Sequence, residues 1–398
     1  MIRTAIIIAC HLPLWAVAQP VVPGFDRFPN DTPAAQIAGG EVLINELNCI
    51  ACHTADKEQR QRFESYPAPV LFTAHNPAPA GWLKRWLSAP HNLKQGTIMP
   101  NLLHGLNQNE KAHTIESLRH YLLSLTPPMV NLTIFNGNAN AGKKLYQNIG
   151  CVQCHSPDAK DNGKDSPLGE LQQKYTPVQL IQFLLDPLHS RPSGRMPRVP
   201  MTKKEAGHIA AFLLSRAPLT QDAGLTKGPD ALKLREKGKV FYQKLRCANC
   251  HTKGNLSGAT NLSKPLTKLD LTQGCLSGSP PRKAPHFHLN AKQREAITAA
   301  LKAKPAALTS QKRTHRRMRQ LNCTGCHTRK DLGEPDAARD KFFLTTGNDL
   351  GDEGFEVIRE RLISKGVVTR LDFSSNGVTD QLIRPQNMRN SWSQCKNL

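Results

Sequence analysis

Apolar residues recur at helical spacing in short segments of this 398-residue chain. Three segments carry a glycine, a large apolar residue three positions later and another four positions after that: Gly40, Leu43 and Leu47; Gly142, Leu145 and Ile149; Gly238, Phe241 and Leu245. This spacing places the apolar residues on one face and predicts three short amphipathic helices. The glycine permits close backbone approach, so we expect a second helix to cross each of them there.

A second kind of helical pattern follows each of these segments. Its apolar positions are Leu118, Tyr121, Leu122 and Leu125; Ile209, Phe212, Leu213 and Leu214; and Ile297, Ala300 and Leu301. Proline-rich connectors near 127–138, 217–232 and 304–310 come next and mark boundaries. The patterns predict a mainly α chain built of repeated units of about 70–100 residues, a size at which a bound cofactor supplies much of the core.

Each of the three helices of the first kind runs into a Cys-x-x-Cys-His motif, and a fourth copy of the motif follows without that pattern. The four motifs are Cys49-Ile-Ala-Cys52-His53, Cys151-Val-Gln-Cys154-His155, Cys247-Ala-Asn-Cys250-His251 and Cys323-Thr-Gly-Cys326-His327. This motif attaches c-type haem: two thiols add to the vinyl groups and the imidazole becomes the proximal iron ligand. We therefore predict four covalently bound haem c groups.

Paired cysteines also occur in zinc ribbons and in thioredoxin-like redox sites, and this sequence fits neither well. The motifs begin 102, 96 and 76 residues apart, which is too far for the knuckles of one zinc ribbon. A thioredoxin-like site needs a strand–helix–strand setting, and the pattern around the motifs contains none.

The order of helix, Cys-x-x-Cys-His, ligand loop and second helix resembles the class I cytochrome c fold. The resemblance covers 36–126, 137–216 and 233–303, whereas 310–398 is a divergent or incomplete fourth haem-binding segment. It implies tandem helical domains, each wrapped around a haem, with the second helix of each unit crossing the first. In the fourth segment Thr314 and Arg317 replace the glycine and an apolar residue, so we expect its helix to pack differently.

The resemblance also implies a distal iron ligand, usually Met, in the loop before the second helix. Met99 and Met196 each precede a proline, 46 residues beyond His53 and 41 beyond His155. Both are distal candidates, and both could instead be ordinary packing residues. Met201 is the rival of Met196, and it precedes Thr202, a possible helix cap.

The third and fourth units have no equivalent methionine. The loop of the third unit offers His286 and His288 ahead of Asn290, which we expect to cap a helix. Either histidine could bind iron; if both lie at the surface instead, that iron is five-coordinate and open. After the fourth motif the remaining methionine, Met388, lies in a polar tail.

The first 18 residues have the features of a secretory signal. Arg3 precedes an apolar stretch, and Ala16-Val17-Ala18 fits the small-residue cleavage rule. The alternative is a lipoprotein anchor at Cys10. No later stretch has the ~18 consecutive apolar residues of a membrane span. These features predict a periplasmic protein, in which the remaining cysteines Cys275 and Cys395 could form a disulfide.

The chain is strongly basic, with a formal net charge of +22, and removal of residues 1–18 leaves +21 because only Arg3 is lost. Such a charge favours redox partner proteins with acidic docking surfaces, and it permits peripheral contact with anionic lipid. Nucleic acid is not expected, because the chain is predicted to be exported. The alternative is a solvated basic surface without a particular target.

Together the motifs predict an electron carrier with four haems rather than an enzyme. The sequence contains no nucleophile elbow, phosphate loop or zinc-protease motif. The alternative is a haem enzyme of the peroxidase type, or a subunit that feeds electrons to one, in which an open-coordinate haem of the third or fourth unit binds the substrate.

Overall fold

The computed structural model describes residues 19–125 except 67, 70 and 72–78; 137–251 except 164, 192–193, 217–223 and 226–227; 263–325 except 305–308; and 329, 332–334 and 336–339. The predicted signal segment, Cys326, His327, Met388 and Cys395 lie outside the described residues.

The described part of the chain is mainly α-helical, as the apolar pattern predicts, and its only β contacts are isolated bridges. The longer helices are α1 (Pro33–Glu46), α2 (Ala80–Ser88), α3 (Gln108–Ser124), α4 (Ala139–Asn148), α5 (Pro177–Leu185), α6 (Lys203–Leu214), α7 (Asp230–Lys244), α8 (Ala291–Lys302) and α9 (Ser310–Gln320). Shorter helices span Pro23–Asp26, Gln59–Arg62, Pro90–Leu93, Leu171–Lys174 and Pro187–Ser190.

Side-chain caps fix where several of these helices begin. Asn107, Thr176, Thr202 and Asn290 each accept a hydrogen bond from the backbone three residues later and form a reciprocal capping box with the Glu or Gln there. Such caps satisfy amide groups that the first helical turn leaves unpaired. The capping roles predicted for Thr202 and Asn290 are confirmed.

Three glycines mark three helix crossings of the same kind. A Cβ added at Gly142 of α4 would lie 1.9 Å from the backbone oxygen of His208 and 2.9 Å from the Cβ of Phe212, both in α6. Only glycine allows two helix backbones to approach this closely. The second unit thus pairs its own two helices, as expected.

The first and third units exchange their second helices. Gly40 of α1 meets α8, where an added Cβ would lie 1.9 Å from the oxygen of Ala296. Gly238 of α7 meets α3, where an added Cβ would lie 2.0 Å from the oxygen of Ser117. This pairing differs from the expectation of one helix pair within 36–126 and another within 233–303. The reason is that all three crossings use the same glycine contact, so the local sequence does not select the partner helix. The domain boundaries at 36–126, 137–216 and 233–303 remain predictions.

The apolar clusters follow the same exchange. One cluster combines residues 22–63 with residues 266–300, and another combines residues 83–122 with residues 242–248. The cluster of the second unit lies entirely within residues 146–213.

The helix of the fourth unit, α9, packs differently from the other three, as its sequence predicts. It contacts α1 and the short Pro23–Asp26 helix. It also contacts the segment after the Gln59–Arg62 helix, where Arg316 donates to the carboxylate of Glu64 at 2.9 Å and Gln320 accepts from the hydroxyl of Tyr66 at 3.0 Å. The fourth segment is thereby attached to the first unit largely by polar contacts.

Candidate functional site

The Cys-x-x-Cys-His motifs share one local geometry. A helix ends, the residue before the first cysteine takes a left-handed conformation, and a 3₁₀ turn follows at Cys49–Ala51, Cys151–Gln153, Cys247–Asn249 and Cys323–Gly325. The left-handed residues are Asn48, Gly150, Arg246 and Asn322, with φ of 55°, 94°, 58° and 56°. Asn, Asp and Gly adopt this conformation more readily than other residues, so only Arg246 is unusual here.

This turn brings the histidine of each described motif back beside its first cysteine. The backbone amides of His53, His155 and His251 donate to the carbonyl oxygens of Cys49, Cys151 and Cys247 at 3.1, 2.9 and 2.8 Å. Thiols and imidazole therefore lie together at the end of each helix.

Each of these histidines is oriented through its Nδ1 atom. Nδ1 lies 2.8 Å from the carbonyl oxygen of Lys264 for His53, 2.7 Å from that of Ser166 for His155, and 2.9 Å from that of Pro69 for His251. Because a carbonyl oxygen only accepts, Nδ1 must donate, and the lone pair of Nε2 is left for a metal.

The surroundings of the side chains favour their neutral forms. Burial lowers the pKa of His155 and of His251, which keeps both imidazoles neutral and able to ligate. Burial also raises the pKa of the Cys49, Cys151 and Cys247 thiols to about 12. A redox-active dithiol needs a low pKa, so these cysteines do not resemble thioredoxin-type sites. Among the described residues no group of three or more ligating side chains could hold a metal ion by itself.

The first and third motifs lie against each other. The side-chain amide of Asn48 donates to Sγ of Cys250 at 3.8 Å, and that of Asn249 donates to Sγ of Cys52 at 3.9 Å. Asn249 also donates to the carbonyl oxygen of Ala51 at 2.9 Å. The second cysteine of each motif thus accepts a hydrogen bond from an asparagine in, or directly before, the other motif.

The second and fourth motifs form a corresponding pair. The side-chain amide of Asn322 donates to Sγ of Cys154 at 3.3 Å. Arg27 joins the two motifs, since its guanidinium donates to Oδ1 of Asn322 at 3.2 Å and to the carbonyl oxygen of Gln153 at 2.6 Å. Sequence reasoning missed Asn48, Asn249 and Asn322. A signal was present for the first and the last, because Leu-Asn-Cys recurs at 47–49 and 321–323.

Arg339, beyond the fourth motif, reaches the second one. Its guanidinium donates to the carbonyl oxygens of Val152 and His155 at 2.9 and 3.2 Å and pairs with Asp165. Burial alone would raise the pKa of Asp165, but hydrogen bonds from Arg339 and Asn162 hold it below its ordinary value. The carboxylate stays ionised and fixes the fourth segment on the second motif.

The candidate distal methionines lie in different settings. Met196 packs, partly buried, on the apolar cluster that contains Val152 of the second motif, and so does its rival Met201. Met99 is half-buried, and its Sδ accepts a hydrogen bond from the indole of Trp86 at 2.9 Å. Trp86 in turn stacks on Trp82, with ring centroids 5.0 Å apart.

The candidate distal histidines form a stack between two loops. The rings of His286 and His288 are 3.8 Å apart; His288 also meets His91 at 4.3 Å, and His286 meets His104 at 5.2 Å. Burial and the neighbouring histidines lower the pKa of His288 to about 4, so its ring is neutral near neutral pH. The loop also meets the Met99 loop directly, because Asn101 and His286 exchange both backbone hydrogen bonds.

Three cations, Lys94, Lys174 and Arg191, lie close together beside the second motif. Burial and the charge of Arg191 lower the pKa of Lys94 to about 8 and that of Lys174 well below its ordinary value. Nε of Arg191 is buried without a hydrogen-bond partner among the described residues. These cations are partly buried. Cations withdrawn from water favour an anionic partner, and haem propionates would supply one here.

One comparison with known proteins gave a match. The cytochrome c family model matches residues 139–217, which include α4, the second Cys-x-x-Cys-His motif, Met196 and α6. Curated proteins and solved structures gave no match to the chain. The matched segment supports a c-type cytochrome that binds haem covalently and transfers electrons. Within the described residues, no helix is long and apolar enough to cross a membrane.

Proposed function

We propose that the chain is an exported tetrahaem c-type cytochrome that carries electrons between redox partners. The observation that carries this proposal is the common geometry of the motifs: His53, His155 and His251 all use Nδ1 to donate to a carbonyl oxygen and keep Nε2 for iron. The fourth motif shares the turn at Cys323 and the preceding left-handed residue.

The residues present fit haem c. Every motif supplies two thiols for the thioether bonds and one imidazole for the iron, and apolar clusters adjoin the first three motifs. The clustered cations Lys94, Lys174 and Arg191 fit the propionates at the second site. When bound, haem iron supplies a one-electron couple whose potential depends on axial ligand, burial and hydrogen bonding.

The protein's own residues tune and protect each site. The carbonyl acceptors hold each proximal imidazole in one orientation, which makes it a better ligand. Buried side chains such as Leu43, Tyr146 and Tyr242 exclude water. Met196 and Met99 as distal ligands would raise the potential, whereas His286 or His288 would give a lower one.

The contacts between motifs support electron exchange in pairs. Asn48 and Asn249 link the first motif to the third, and Asn322 links the fourth to the second. We infer that the order of the haems in space is not their order in the sequence, and that the first and third sites are nearest neighbours.

Export and the partners are proposals from charge and sequence. We propose cleavage after Ala18, a periplasmic location and docking to acidic surfaces of redox partners through the excess of positive charge. Complexes of this kind should weaken as salt is raised.

The test is a haem count together with ligand binding. The alkaline pyridine spectrum of the purified protein should give four c-type haems per chain, and carbon monoxide should leave the dithionite-reduced spectrum unchanged. Fewer than four haems would contradict the tetrahaem proposal. A carbon monoxide response would identify an open iron and contradict a role confined to electron transfer.

A further inference from the structure

We propose that the first and third haem sites are completed crosswise, each motif by the segment that follows the other, and that Met99 is the distal ligand of the iron held by His251 rather than by His53. The inference rests on the proposed haem function and assigns ligands within it.

The hydrogen bonds of the proximal histidines are the first evidence for the exchange. In the second unit His155 donates to Ser166, 11 residues further along its own segment. His53 instead donates to Lys264, which follows the third motif, and His251 donates to Pro69, which follows the first. Residues up to Phe63 still pack with the first motif, so the exchange begins by Pro69 in the first segment and by Lys264 in the third.

Backbone contacts extend the exchange along both segments. The amide of Leu266 donates to the carbonyl oxygen of Thr54 at 3.0 Å, and the amide of Ala68 donates to that of Cys250 at 2.9 Å. Each motif is thus bonded to the loop that leads to the other unit's second helix. These contacts are reciprocal, as an exchange of equivalent segments requires.

The helix crossings and the apolar clusters show the same exchange. Gly40 meets α8 and Gly238 meets α3, with nearly the same contact distances as Gly142 makes within the second unit. Tyr121 of α3 lies against Tyr242 of α7 with ring centroids 5.5 Å apart, and both belong to the cluster with Ala248 of the third motif. The exchange therefore preserves the packing of a complete site.

The assignment of Met99 to the third site rests on the tryptophans that it contacts. Its sulfur accepts from Trp86, which stacks on Trp82, and Trp82 packs on the cluster of the third motif. In contrast, Leu289 belongs to the cluster of the first motif and Phe287 packs against it; the two residues flank His288. The loop at 283–289 therefore lies beside the first motif, and the Met99 loop beside the third.

The experiment follows the weak far-red absorption band of methionine-ligated ferric haem. Met99→Leu is compared with its parent in three full-length backgrounds: the wild type, C49S/C52S, which lacks the first haem, and C247S/C250S, which lacks the third. We expect Met99→Leu to lose about half of the band in the wild type, because Met196 contributes the rest, and to lose the same amount in C49S/C52S. In C247S/C250S it should change nothing.

Other patterns overturn the assignment. If Met99→Leu has its effect in C247S/C250S and none in C49S/C52S, Met99 serves the first iron; if it has no effect in any background, Met99 is not a ligand. Met318→Leu, in α9, is the matched control and should leave the band unchanged. The haem count of the wild type is measured separately, so failure of the tetrahaem proposal is distinguishable from failure of this one.

A second measurement does not depend on the haem-free variants. A protease site is inserted between residues 126 and 137 of the full chain, and the cleaved holoprotein is passed through a sizing column. Crosswise completion predicts that the fragments elute together until denaturant is added. Separation of two haem-containing fragments in native buffer would overturn the proposal.

Discussion

Alanine at Gly142 tests the helix crossing on which the cytochrome c domain depends. Its Cβ would lie 1.9 Å from the backbone oxygen of His208, whereas real Cβ contacts are essentially never under 3.0 Å, so α6 must move by about 1.1 Å. A backbone atom cannot relieve the clash by changing rotamer. Overpacking of this kind costs about 3 kcal/mol, and alanine regains about 1 kcal/mol through helix propensity. We therefore expect a net loss of about 2 kcal/mol.

The assay is guanidinium unfolding of the holoprotein, followed by far-ultraviolet circular dichroism and by the Soret band of the haem. Gly278→Ala is the control, since nothing lies within 4 Å of its added Cβ. An unfolding free energy of Gly142→Ala equal to or greater than that of the wild type would refute the close crossing.

Three further predictions concern the site. Met196→Ala should lower the midpoint potential of one haem and leave the others nearly unchanged in a redox titration, while Met201→Ala should not; the opposite result would make Met201 the ligand. Asn322→Leu removes the hydrogen bond to Sγ of Cys154 and should lower the second haem's potential by about 20–40 mV, the equivalent of about 0.5–1 kcal/mol; an unchanged potential would show that the contact has no electronic effect. Arg339→Met should destabilise the protein at pH 7 by about 1–2 kcal/mol. The pKa of Asp165 is lower in the folded protein than in the unfolded chain. Its ionised carboxylate therefore stabilises the fold above the unfolded-state pKa, and this stabilisation is lost as the pH falls through the folded-state pKa. The difference in unfolding free energy between wild type and Arg339→Met should therefore narrow below about pH 4, and a difference independent of pH would contradict this.

Local structure was largely predictable from sequence. The apolar spacing around Gly142 and Ile209 predicted α4 and α6, and Thr202 and Asn290 were identified as caps, because helix periodicity and capping are properties of adjacent residues. The Cys-x-x-Cys-His motifs likewise follow from spacing alone. The distal ligands stay predictions, and so do the roles assigned to Cys326 and His327.

The partners of the helices could not be predicted in the same way. Gly40, Gly142 and Gly238 offer nearly identical contacts, so sequence determined that each helix is crossed but not by which helix. The choice depends on residues far apart in the chain, such as the bond between His53 and Lys264 and that between His251 and Pro69.

What the sequence by itself determined is the local pattern: four Cys-x-x-Cys-His motifs, a mainly helical chain and a strong positive charge. What only the tertiary structure decided is adjacency: the first motif beside the third, the second beside the fourth, and the exchange of α3 and α8. The physical reason is that covalent attachment and helix formation need only neighbouring residues. Pairing of repeated units depends instead on long-range packing among surfaces that are locally equivalent.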